Sequence, residues 1–169
     1  MRVEIWFDFN KTSLEVINNL DNAFKRFKYA SDCDVLFRSL PQSEAHFKYH
    51  ELFQYGRKKG LKHNYLCAIF NIYKNNLELM TSLDSQIGHF GLDMNDVKNN
   101  LLNHGSLRIV KNQLEHASLQ KITIAPTLTF THGFKLAGLV SVNDIEETLI
   151  QMYEKDSGIK YCIDDDCER

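Results

Sequence analysis

The chain opens on a nearly continuous apolar run, Val3-Glu4-Ile5-Trp6-Phe7-Asp8-Phe9, interrupted only by Glu4 and Asp8. Aromatic and β-branched residues in such a run predict a buried strand. The period then changes. Leu14, Ile17, Asn18, Leu20, Ala23, Phe24 and Phe27 recur at helical spacing, and Thr12 and Glu15 have the spacing of a capping box at the helix start. Cys33-Asp34-Val35-Leu36-Phe37-Arg38 predicts a second strand, which Ser39 to Glu44 breaks.

From about residue 43 to 119 the pattern is helical throughout. Five apolar stripes predict five helices: Phe47 to Tyr55, Tyr65 to Tyr73, Leu79 to Phe90, Val97 to Leu102, and Leu107 to Ala117. Gly60, Gly91 and Gly105 mark caps or turns between them. Alternation returns over Lys121 to Thr131, with Pro126 in its middle, and Phe134 to Gly138 pairs back after a His132-Gly133 turn. Ser141 caps a last helix whose Ile145, Leu149, Ile150 and Tyr153 share a face. The end of the chain, Tyr161 to Arg169, is acidic and carries Cys162 and Cys167.

Composition narrows the picture modestly. A chain of 169 residues suits one domain, or one domain with a large insertion. A net charge of −2 gives no electrostatic footprint for nucleic acid, so no nucleic-acid partner is expected. The basic run Arg57-Lys58-Lys59 ahead of Gly60 fits the C-terminus of a helix, where cations complement the dipole. No apolar run has the length of a membrane span, no signal peptide is evident, and the expected compartment is the cytoplasm. In that reducing setting the four cysteines are thiols, with Cys33 and Cys67 read as packing residues.

A strand running straight into a helix start is where an open α/β fold stabilises an anion, through free N–H groups and the dipole. Thr12 or Ser13 at that point reads either as an anion or sulfur contact or as a simple helix cap, and the residues leave both open. His46 and His50, four apart on a predicted helix, have a geometry that presents two imidazoles to zinc. No third ligand accompanies them and no metal is expected. Phosphate-binding loops and the Gly-x-Ser-x-Gly elbow are absent from the sequence.

Trp6-Phe7-Asp8-Phe9 entering a helix resembles the opening of the DsbA-like thioredoxin-fold family, FrnE-type branch, whose strand ends Asp-Phe-x and continues Cys-Pro-x-Cys. Other strings carry the same resemblance. Arg38-Ser39 ends the second strand as in the branch, His50-Glu51-Leu52 with Tyr55 and Gly60 is similar to its Ala-His-x-Leu helix, and Gly91-Leu92-Asp93 matches its Gly-Leu-Asp turn. Ile122 and Pro126 match Gly-Ile-x-Gly-Val-Pro, although Lys121, Ile124 and Ala125 depart from it, and Gly138 matches a later glycine. Cys162 and Cys167 match the branch's terminal Cys-x4-Cys.

The resemblance implies an α/β fold, a thioredoxin-like core (βαβ…ββα) from residues 1–42 and 119–155, with a multi-helix insertion at 43–118 and an acidic tail at 156–169. It also implies a thiol-disulfide oxidoreductase with a degenerate site. The redox motif falls on Lys11, Thr12, Ser13 and Leu14, none of them cysteine, which leaves Cys162 and Cys167 as the expected catalytic dithiol or as an idle tail pair. A cis-proline at Pro126, flanked by Ala125 and Thr127, would hold an extended protein or peptide thiol or disulfide substrate. The alternatives are a non-catalytic peptide-binding adaptor and a glutathione-using transferase or isomerase with Ser13 at the sulfur. No cofactor other than glutathione is implied, no membrane partner is expected, and oligomeric state is left open.

Overall fold

The computed structural model describes residues 1–161, so Cys162 and Cys167 lie outside the described residues. Its element order is β1 (Arg2–Phe7), α1 (Lys11–Arg26), β2 (Asp34–Ser39), α2 (Phe47–Lys58), α3 (His63–Lys74), α4 (Leu79–Ile87), α5 (Met94–Leu102), α6 (Leu107–Leu119), β3 (Thr127–Thr129), β4 (Lys135–Ala137) and α7 (Val142–Ser157). This is βαβ, five helices, then ββα, a mixed α/β fold with a four-stranded sheet in the order β2-β1-β3-β4. Among the described residues no helix is long and apolar enough to cross a membrane.

The chain forms two compact units. The first comprises residues 1–6, 12–38 and 126 onward; the second comprises 7–11 and 39–125.

In the first unit β1 is central, and its run of apolar residues is explained by burial on both faces. β3 pairs antiparallel with β1, Glu4 opposite Thr129 and Trp6 opposite Thr127, and β4 pairs antiparallel with β3. The strand expected over 121–131 is confined to three residues, because Pro126 has no N–H to donate and the sheet starts only after it. Glu4, buried on β1, is matched by Arg38 of β2 at 2.6 Å. α7 is capped by Ser141, whose Oγ accepts the Asp144 N–H. Phe27, Tyr29, Tyr153 and Tyr161 form a ring cluster in which Tyr29 stacks on Tyr153 at 4.2 Å. The helix start differs from expectation: α1 opens at Lys11, which puts Thr12 inside the first turn rather than at the cap.

The second unit holds all five inserted helices. Arg57 and Lys58 do end α2, and Gly60 follows with φ 85°, a left-handed conformation that suits a residue without Cβ. Phe7, Phe9, Phe53 and Phe70 interlock as its aromatic core. Two more features fix α2. Tyr65 of α3 donates its hydroxyl to the Leu52 carbonyl at 3.0 Å, and its ring lies directly over Gly56. A Cβ on residue 56 would overlap that ring.

Gly56→Ala should therefore lower the thermal midpoint by several degrees. Overpacking costs about 1–3 kcal/mol, more than the ~1 kcal/mol that alanine gains in helix propensity. An unchanged or higher midpoint would show that the Tyr65 ring gives way freely.

Candidate functional site

Asp8 sits one residue past the end of β1 and is 1% exposed. A carboxylate stays ionised there only if donors replace water. Four groups contribute, two at each oxygen. Oδ1 accepts the Phe9 N–H at 2.8 Å and faces His50 Nε2 at 3.1 Å. Oδ2 accepts the Gln42 N–H at 3.2 Å and faces His46 Nδ1 at 2.7 Å. Burial alone would raise the pKa of Asp8, but the bonds to His50 and His46 outweigh it and hold the carboxyl below its ordinary value.

The two imidazoles come from one short stretch. His46 ends a 3₁₀ turn that leads into α2, and His50 is in the first turn and a half of that helix. Their spacing of four does bring both rings to one place. That place is the Asp8 carboxylate, which takes the nitrogens that face it; among the described residues no group of three His, Cys, Asp or Glu is arranged to hold a metal ion. His50 is fully buried, with the Phe7 ring at 5.2 Å and the Phe9 ring edge-on at 4.8 Å. Its Nδ1 has no hydrogen-bond partner. Burial drives its basicity below the imidazole value of 6.5, although Asp8 pulls the other way. His46 reaches further: its Nε2 lies 3.3 Å from the Tyr73 hydroxyl.

A second buried network ties the end of β2 to the helices. Gln113 of α6 accepts the Ser39 N–H at 2.5 Å, and Gln54 of α2 donates to Ser39 Oγ at 2.8 Å and to Gln113 at 3.1 Å. Glu51, also buried, faces His104 Nδ1 at 3.0 Å beside a cavity of about 630 Å³.

The residues singled out from sequence are placed as follows. Lys11 is exposed at the first position of α1, Thr12 and Leu14 are half-buried, and Ser13 is fully buried. Ala125 is half-buried, whereas Pro126 and Thr127 are buried; Thr127 starts β3 opposite Trp6 and Ala137, and the Pro126 carbonyl accepts the Gly138 N–H at 2.8 Å. Cys33 and Cys67 are free and half-buried rather than fully packed. Burial first, then Asp32 and Asp156, pushes the Cys33 thiol up, against the opposing pull of the N-terminal ammonium, which makes it a poor nucleophile. Cys67 Sγ lies 3.3 Å from His63 Nε2.

The depressed basicity of His50 sets a direction of pH dependence. Between its folded-state value and 6.5 the unfolded chain binds a proton that the folded chain does not, so stability is complete above 6.5 and falls as pH drops through that window. Asp8 adds a second loss at lower pH, beginning near 3.8, where the unfolded carboxyl takes up protons first. The urea midpoint of the wild type should thus be lower at mildly acidic than at neutral pH. His50→Gln, which keeps an N–H donor for Asp8 and cannot titrate, should flatten that difference; equal pH dependence in both proteins would assign it elsewhere.

No protein-family model and no curated protein matches this sequence. Solved structures do. A probable DsbA oxidoreductase from Streptomyces coelicolor superposes with a TM-score of 0.79 at 14% identity, over 96% of this chain and 94% of its own. Wolbachia pipientis alpha-DsbA1, in one of its single-site variants, gives 0.73 at 16% identity over 93% and 87%. The β1-α1-β2 unit, the five inserted helices and the closing hairpin and helix are thus the DsbA-like thioredoxin fold.

Proposed function

We propose that the chain is a DsbA-like protein of the FrnE-type branch that engages protein or peptide thiols and disulfides with altered chemistry. One observation supports this reading: the DsbA-like fold extends over 96% of the chain, and Lys11-Thr12-Ser13-Leu14, on which the resemblance lays the redox motif, opens α1. Binding is assigned to the segment around Ala125, Pro126 and Thr127, with Pro126 in the cis form and the substrate added as an extended strand. Dithiol chemistry is assigned to Cys162 and Cys167, the two cysteines closest in sequence, in a cytoplasmic setting that keeps Cys33 and Cys67 reduced.

The absence of sulfur at positions 11–14 and the raised Cys33 thiol favour a second reading, a non-catalytic adaptor that binds extended peptides. A glutathione-using transferase or isomerase has less support, because the serine that would meet the sulfur, Ser13, is buried.

Insulin reduction by dithiothreitol separates the first two. An accelerated rate in the wild type that is lost in Cys162→Ser/Cys167→Ser supports the oxidoreductase; the uncatalysed rate in both proteins removes it. The adaptor predicts that capture of an unfolded-protein peptide array survives replacement of all four cysteines by serine and fails in Ala125→Trp. Ala125 is the position for this substitution, since Thr127 is 3% exposed and a bulky residue there would break the sheet. Capture unaffected by Ala125→Trp would place binding on another surface.

A further inference from the structure

The hydrogen bonds that leave Asp8 through His46 end on a phenol. Asp8 is held in its ionised form, so Oδ2 only accepts, and His46 Nδ1 must carry the hydrogen between them. In its neutral form the ring presents Nε2 as a lone pair toward the Tyr73 hydroxyl, 3.3 Å away. The Tyr73 proton faces a base whose tautomer is fixed by a buried carboxylate. Hydroxyl, imidazole and carboxylate in that order are the arrangement that activates an oxygen nucleophile.

The arrangement is rigid where rigidity matters. Asp8 is fixed by two backbone N–H groups as well as by both imidazoles, so it cannot turn away from His46. The His46 ring stands perpendicular to the Tyr73 ring at 5.2 Å. Tyr73 itself is only half-buried.

Tyr49 supplies an internal comparison. Its ring stands edge-to-face with Tyr73 at 5.4 Å and it too is half-buried. No imidazole bonds to its hydroxyl among the described residues, and burial, with Tyr73 and Glu78 adding to it, pushes that phenol above its ordinary value. Of two adjacent phenols, one is wired to a base and the other is not.

We propose that Tyr73, His46 and Asp8 form a nucleophilic triad that takes an acyl group from an uncharged activated ester. Tyr73 Oη attacks the acyl carbon while its proton passes to His46 Nε2. The bond from the acyl carbon to the leaving oxygen breaks, and that oxygen departs with the bonding pair and recovers the proton from the imidazolium. His46 and Tyr73 are the reacting groups, and Asp8 is a positioning residue that orients the ring and stabilises its cation. The rings of Phe9 and Tyr49 beside Tyr73 make the surroundings aromatic, which suits an uncharged ester. No cysteine takes part, so this inference stands apart from the thiol reading.

The test uses the full chain with 4-nitrophenyl acetate, following nitrophenolate release and mapping the acetyl group by peptide mass spectrometry. Acetylation of Tyr73 should exceed that of Tyr49 by about tenfold or more, the low end of what a positioned base contributes being larger still. His46→Gln, which can donate to Asp8 but supplies no base, should bring Tyr73 down to the Tyr49 level, and Asp8→Asn should lower the same ratio. Acetyl groups spread equally over both tyrosines, placed on lysines instead, or retained on Tyr73 in His46→Gln would overturn the proposal. Should a variant at His46 or Asp8 fail to fold, Tyr73→Phe decides: loss of the fast nitrophenolate phase supports the triad, and its persistence overturns it.

Discussion

A buried carboxylate either collects donors or gives up its charge, and in this chain the conformation of the second unit follows from how Asp8 meets that demand. Donors come from positions 9, 42, 46 and 50, so satisfying one side chain at the end of β1 fixes the exit of that strand, the turn after β2 and the entry of α2. The aromatic residues then close around the site, with the Phe7 and Phe9 rings 5.2 and 4.8 Å from that of His50. Polar order and apolar packing are here two aspects of one arrangement. Removing the carboxylate would leave two imidazoles and two amides to find other partners, the His50 ring in a fully buried place.

The same frame hosts two chemically distinct regions. At the head of α1 stand a lysine and two hydroxyl residues, Lys11, Thr12 and Ser13. The polar machinery of the chain has instead gathered in the inserted helices, around Asp8 and around Gln54 and Gln113. Fold and chemistry are separable in general, and the DsbA-like architecture here sets where side chains stand without by itself deciding what they do.

Local signals in the sequence were sufficient for most of the architecture. The five inserted helices follow from their apolar stripes, the basic end of α2 from Arg57 and Lys58 ahead of Gly60, and the start of α7 from Ser141, each a matter of residues within one or two turns of one another. Two local readings erred at boundaries: Thr12 has the spacing of a cap yet falls inside α1, and the β-prone residues before Pro126 stay out of the sheet because the proline interrupts pairing. The Asp8 cluster was not legible in the same way. His46 and His50 stood out as a pair, and Asp8 as a polar interruption of a strand, but what joins them is a tertiary contact spanning 38 and 42 positions. A lone acid ending a buried strand together with paired histidines opening a helix was the available signal.

The sheet register has a consequence for the order in which the molecule assembles. Trp6 lies opposite Thr127, so the partner of the most apolar strand is made last. At ribosomal speeds of about 5–20 residues per second, β1 waits roughly 6–24 s for β3 to emerge. β2 arrives far sooner, and it ties to β1 at both ends through the Asp34 N–H to the Met1 carbonyl and the Leu40 N–H to the Phe7 carbonyl. One edge of β1 can therefore be covered early, while the other stays exposed through synthesis of every inserted helix. The nascent chain is most open to mispairing along that single edge, and it is there that a chaperone would find its longest-lived hydrophobic target.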